Sequence, residues 1–305
     1  MPFNSKSQVT LSVIFILATA GATSINAQTS ALNLTIDKSS TSGSTDEQPA
    51  VEKKKSEPTG ESEKRSGGKT TAPVNVRPQA DPDKWQFQVS PYFHLAGLHG
   101  TAGIGDRTTQ VDESFSDVFD VLNFAIMGTF EARKGKFISL TDLEYVSVSD
   151  DKATPGPLFS TLEAKFKTFI FDPEVGYRVF ENPDTGASVD VLGGIRVWHV
   201  STELNFGAGI LPAVDLDGSR NWVDAVGGVR GKAPISKKMF LTGKFDLGGG
   251  GSKFTYQVFG GGGYGINEKI ALIFGYRVLD VNYDKNNFVY DMNQRGPIVG
   301  LAFKF

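Results

Sequence analysis

No cysteine occurs among the 305 residues. That excludes disulfides, thiolate metal sites, a cysteine nucleophile and a lipid-modified N-terminal cysteine. No stretch of 18 or more apolar residues occurs either, so the chain contains no helical membrane span. The net charge of −3 supplies no basic field, which argues against nucleic-acid binding. Histidine is scarce (His94, His99 and His199), and so is methionine, with 4 residues. Glycine (35) and phenylalanine (23) are abundant instead. That pairing suits closely packed strands that meet lipid and does not suit helical bundles.

The first residues read as a secretory signal over 1–27. Lys6 gives a positive start, Val9 to Ala20 an apolar core, and Ala20-Gly21-Ala22 or Ile25-Asn26-Ala27 a small-residue cleavage site. Residues 28–83 are rich in Ser, Thr, Glu, Lys, Pro and Gly and almost lack aromatics. Such a segment cannot bury enough apolar surface to offset its ordering entropy, and a disordered periplasmic linker is expected. It serves either as a solvated spacer or as a tether to the cell wall or a partner.

From Lys84 onward the residues alternate with period two. In Trp85 to Leu95, one face carries Trp, Phe, Val, Pro, Phe and Leu, and the other Gln, Gln, Ser, Tyr and His. Similar segments are Asn123 to Arg133, Phe137 to Ser149, Thr161 to Phe180, Ser188 to Asn205 and Asn221 to Ala233. Met239 to Gly248, Phe254 to Ile266, Ile270 to Tyr283 and Phe288 to Phe305 complete the set. The pattern predicts an all-β, closed, antiparallel up-and-down barrel over 84–305, with about ten strands and eight or twelve as alternatives. Short turns at Lys134-Gly135, Asn182 to Gly186, Pro234 to Lys238 and Asn267 to Lys269 belong to one end. Longer connections at Asp106 to Leu122, Asp150 to Ser160 and Gly207 to Arg220 belong to the other. Short periplasmic turns and longer outer loops are the layout of a bacterial outer-membrane barrel. In the first outer loop, Phe115, Val118, Phe119 and Leu122 fall at helical spacing behind Ser114, a potential cap. A short helix there is either a plug at the mouth or an amphipathic turn on the rim.

The polar face carries full charges at mid-strand: Glu131, Arg133, Asp142, Glu144, Asp172, Glu174, Arg178, Arg196, Asp224, Arg230, Lys244, Asp246 and Arg277. A Lys or Arg on the lipid side costs about 2–4 kcal/mol at the bilayer midplane, so these groups are expected to face the lumen. Mixed signs allow pairing in a narrow interior, which gives a structural polar core, or they line a small-solute channel. The last residues alternate Val299, Leu301, Phe303 and Phe305 against Gly300, Ala302 and Lys304. Phe303 and Phe305 resemble the C-terminal signal read by the barrel-assembly machinery of Gram-negative bacteria.

Trp85 to Gly105, the Phe124 to Tyr145 hairpin, Gly275 to Tyr283 and the final Phe305 together resemble the small outer-membrane β-barrel proteins. That is the broad superfamily of opacity-type surface antigens and OmpA-like barrel domains. The resemblance covers residues 84–305 and implies an architecture and an outer-membrane location, not an activity. The expected function is structural or surface-interacting, with a narrow porin as the alternative and an outer-membrane hydrolase behind both. Expected partners are outer-membrane lipids, lipopolysaccharide and the assembly machinery, with the cell wall a further candidate through 28–83. No nucleic acid, cofactor, metal or catalytic residue is expected. Asp280 to Asn286 imitates the start of a calcium loop, but Lys285 stands where glycine is required. Gly260 to Gly265 lies within a strand and opens no helix, so it is not a dinucleotide motif.

Overall fold

The computed structural model describes residues 84–104, 107–153 and 157–305. The expected leader (1–27) and polar linker (28–83) lie outside the described residues. Strand β1 (Gln86–His94) is followed by the hairpin β2 (Gly97–Ile104) and β3 (Arg107–Glu113), then by helix α1 (Phe115–Asp120). Nine long strands complete the chain: β4 (Leu122–Lys134), β5 (Phe137–Ala153), β6 (Phe159–Glu181), β7 (Ser188–Ala208), β8 (Val214–Pro234), β9 (Met239–Gly250), β10 (Phe254–Gly265), β11 (Ile270–Lys285) and β12 (Phe288–Lys304). Each pairs antiparallel with the next, and β1 joins β4 to β12, which closes a barrel of ten strands. The β2–β3 hairpin adds two more at one end, where β2 continues the line of β1 along β12. The start of β1 and the end of β12 lie together, at what is here called the terminal end.

Local chemistry accounts for the turns and the helix. Gly135 opens the two-residue β4–β5 turn at φ 55°, and Asn286 and Asn287 take φ 53° and 62° in the β11–β12 turn. Two successive left-handed residues match the right-handed twist of the flanking strands, and asparagine tolerates that conformation well. Ser114 caps α1 through a capping box with Asp117. Gly194 on β7 permits a close approach: a Cβ there would stand 2.1 Å from the carbonyl oxygen of Pro173 on β6. Gly194→Ala is therefore expected to lower barrel stability by about 1–3 kcal/mol, measured as a shift in urea midpoint. An unchanged midpoint would mean the two strands are free to separate.

The three expected loops contain long stretches of strand. Asp106 to Leu122 holds β3 and helix α1, β5 runs to Ala153, and β8 begins at Val214. The cause is a reversal of polarity part-way along the barrel. Near the terminal end, outward residues are apolar and exposed, such as Val189, Val191 and Ile195 on β7 and Val223 and Val229 on β8. Farther along, the outward residues of the same strands are His199, Ser201 and Glu203, facing Asn221, Ser219 and Asp217. The inward residues change in the opposite sense, from Asp190 and Arg196 to Trp198, Val200 and Leu204. The β7–β8 register is continuous from Ser188↔Lys232 to Phe206↔Val214, so the backbone does not slip. Only the chemistry changes face.

The far half of the barrel accordingly has a core of its own. Ile170, Trp198, Val200, Trp222, Leu279, Val281, Tyr283, Phe288, Tyr290 and Met292 pack into one buried cluster. The Trp198 and Trp222 rings stack 5.5 Å apart, and Trp222 lies 4.3 Å from Tyr283. Its outer wall is polar: Asn205 donates to Glu163, Asn282 to Asp291 and Asn293 to Asp280, and Lys167 pairs with Glu203.

Among the described residues the wall is interrupted twice: β8 from Val214 to Trp222 pairs with β7 alone, and a second seam lies beside β1. The β1–β4 ladder ends at Pro91↔Gly128, and Pro91 has no N–H to donate. Beyond it, among the described residues, β4 from Leu122 to Met127 pairs with β5 alone. Helix α1 packs on β2 and β3 at this place.

Candidate functional site

The terminal half of the lumen is filled by charged side chains in three groups. Nearest the terminal end, Arg230 binds Glu131 at 2.7 Å and Asp190 at 2.9 Å. Arg133 binds Glu131 at 2.9 Å, and Arg178 binds Asp190 at 2.9 Å. In the next group, the Arg196 guanidinium joins Asp172 at 2.6 Å and Asp246 at 2.8 Å, and donates to the Thr255 hydroxyl at 3.2 Å. Lys244 joins Glu174 at 2.6 Å and Asp246 at 3.0 Å. In the third, Arg277 reaches Glu144 at 3.1 Å and Asp142 at 3.4 Å. It also donates to the Gln257 side-chain oxygen at 2.7 Å and to the Tyr92 hydroxyl at 2.8 Å, which in turn donates to Asp142. Asp142 and Asp172 are direct cross-strand neighbours, which joins the second and third groups.

Twelve of the thirteen charged candidates fall into these groups. The exception is Asp224, whose carboxylate accepts the Ser252 backbone N–H at 2.6 Å and ties down the β9–β10 turn. The structure adds Asp190, Tyr92, Gln257, Thr255 and His94. Asp190 was within reach of the sequence, because it shares the alternation phase of Arg196. Tyr92 and Gln257 carry no charge to mark them. The arrangement is dry and tightly paired: Arg196, Asp224 and Asp246 are 0% exposed, and Asp172 is 1% exposed. A guanidinium spread over two carboxylates and a hydroxyl is well satisfied, and satisfaction of this kind is what makes buried charge tolerable. Such a network locks strands to one another. Passage of an ion would require breaking it.

On the outside, the terminal half carries an apolar belt. On β7 it runs from Val189 to Val197, about 20 Å along the barrel axis once strand tilt is allowed for. Aromatic rings flank it: Trp85, Phe137, Tyr177, Tyr264 and Phe305 toward the terminal end, and Phe93, Phe124 and Tyr276 toward the other. Lys136 and Lys238 lie over the Tyr177 and Tyr264 rings at 5.8 and 5.7 Å, with a positive charge at the edge of the belt. Phe303 is half-buried, and Phe305, exposed, exchanges backbone hydrogen bonds with Phe87. Among the described residues no helix is long and apolar enough to cross a membrane.

A closed barrel that is ionic within and greasy without, over a belt of about 20 Å between aromatic girdles, has the build of an outer-membrane β-barrel. The solved structures it is similar to are proteins of that class. The outer membrane protease OmpT from Escherichia coli has a TM-score of 0.46 at 11% identity, over 73% of this chain and 97% of that one. Ail, the attachment invasion locus protein of Yersinia pestis, gives 0.35 at 7% identity, over 73% and 99%. Neisserial surface protein A gives 0.29 at 12% identity, over 72% and 97%. No family model matches the sequence, and no curated protein is similar to it.

Proposed function

We propose that the protein is a non-conducting outer-membrane scaffold that carries a folded, polar-walled outer half for interaction at the cell surface. The observation that supports this reading is the double occlusion of the lumen. The ion-pair groups around Arg230, Arg196 and Arg277 fill the terminal half, and the Trp198–Trp222–Tyr290 cluster occupies part of the half beyond. In this reading the terminal end faces the periplasm, the apolar belt meets outer-membrane lipid, and the outer half stands among the lipopolysaccharide sugars. Phe303 and Phe305 serve as the recognition element for the assembly machinery.

Single-channel recording in planar bilayers tests the reading. Purified protein is expected to give no steady openings at any voltage the membrane tolerates. Stepwise, ohmic conductance would remove the scaffold reading and restore that of a narrow porin for small solutes. A hydrolase has less support: His99 and Asp112 pair at 2.6 Å on the outer hairpin, a single exposed pair with no further geometry pointing to a reaction.

A further inference from the structure

Where the β1–β4 ladder ends, the barrel wall is hollow. A cavity of about 200 Å³ reaches from this seam into the interior, bounded by β1, β2, β3, α1, β4, β5, β6, β7 and β12, with Leu98, Val118, Ala125, Met127, Val146 and Phe166 among its lining residues. Phe93 and Phe119, both exposed on the outside of the molecule, line one side of it. Glu144 and Gln294, buried in the interior, line another. The hollow therefore joins the outside at the seam to the interior of the outer half. Its surface is overwhelmingly apolar, and an apolar cavity of about 150 Å³ is already large enough to hold benzene.

One group breaks the apolar lining. The His94 side chain is fully buried, and neither ring nitrogen has a hydrogen-bond partner. Its Nδ1 stands 3.8 Å from the nearest Glu144 oxygen, beyond hydrogen-bond reach. A buried imidazole whose nearest polar group is this Glu144 carboxylate, too far for a hydrogen bond of normal length, is costly, because the hydrogen bonds it makes in water are not fully replaced. A neutral imidazole presents one N–H and one lone pair, so a hydroxyl can satisfy either nitrogen.

From the cavity, the seam and His94 together, we propose a binding site for a small amphiphile that enters through the wall. The ligand is a single ring or short alkyl chain bearing one hydroxyl. Its apolar body fills the space between α1 and β4, and its hydroxyl hydrogen-bonds His94. Entry is from the outside past Phe93 and Phe119, with no passage through the ion-paired lumen. The site goes beyond the scaffold reading, which stands or falls on conductance alone.

The test uses the full chain in dimyristoylphosphatidylcholine nanodiscs, titrated with 4-fluorophenol and separately with fluorobenzene. Binding is followed by fluorine NMR, and partition into empty discs is subtracted. Saturable binding of both probes is expected, with the phenol about fivefold tighter, the ratio that one net hydrogen bond provides. Ala125→Phe, which fills the cavity from β4, is expected to abolish both signals. His94→Leu is expected to bring the ratio close to one. Each variant is first checked for the heat-dependent gel shift of a folded barrel. A measurement on the unmodified chain needs no variant: photolabelling with 4-azidophenol is expected to mark peptides containing β1, α1 or β4. Simple partition equal to that of empty discs would overturn the proposal, and is the result if a lipid acyl chain already occupies the space. Saturable binding that survives in folded Ala125→Phe, or labels confined to the terminal half, would overturn it equally.

Discussion

Arg196→Met is expected to destabilise the barrel by about 3–5 kcal/mol, the cost of leaving buried charges without their partner. The guanidinium holds Asp172 and Asp246 in a space from which all three side chains exclude water. Methionine fills much of the volume but leaves two carboxylates beside each other, with Lys244 the nearest cation to both. The measurement is the urea midpoint in lipid vesicles, supported by the temperature at which the folded gel band disappears. Adding Asp172→Asn and Asp246→Asn to Arg196→Met is expected to recover part of the loss, because the uncompensated charges go. A polar network of this kind is costly only when half-satisfied. An unchanged midpoint in Arg196→Met would mean the lumen is wet and the three charges are separately hydrated. The occlusion argument against conduction would lose its basis as well.

A second large effect separates the two halves of one strand. Val229 and Ser219 both face outward on β8, ten positions apart, with Val229 inside the apolar belt and Ser219 on the polar wall beyond it. Val229→Arg is expected to destabilise the inserted barrel by about 2–4 kcal/mol, since the guanidinium would sit among acyl chains. Ser219→Arg is expected to stay within about 0.5 kcal/mol, as ordinary surface substitutions do. Comparable losses at both sites would place the bilayer across the whole strand length. Comparable neutrality would take lipid away from the belt.

The sequence carried the barrel because alternation is a local property, written residue by residue wherever one side meets lipid and the other meets charge. The strands around Glu131, Asp142, Arg196, Arg277 and Val299 were all legible in that way. The length of the barrel was not. At Phe169-Ile170, Val197-Trp198, Trp222-Val223 and Val278-Leu279, two apolar residues stand side by side, and after each doublet the apolar phase is exchanged between faces. Ile170, Trp198 and Trp222 are in direct cross-strand register, so these doublets mark one level around part of the wall. The strands expected from the sequence run through all four doublets, but the continuation of β8 beyond Trp222-Val223, Val214 to Arg220, was assigned to a connection. The β2–β3 hairpin escaped because Gly97 to Gly103 is small and weakly patterned. The seam is harder still to foresee. Pro91 warns of an interrupted ladder, but a cavity arises only once β2 and β3 leave the path that β1 began, and no local residue pattern encodes that departure.

The reversal of polarity along β7 and β8 has a mechanical meaning for anything that meets the cell from outside. In the proposed orientation, the sheet from His199 to Ala208 continues for roughly 20–25 Å beyond the apolar belt as hydrogen-bonded strand rather than as loose loop. The tips near Gly209 are thus carried on a stiff mast with its own dry interior, at a fixed stand-off from the headgroups. A partner binding there would encounter one shape at one height, and would lose little entropy in ordering it. Sequence drift at the tips could then change what is recognised without disturbing how the mast is anchored.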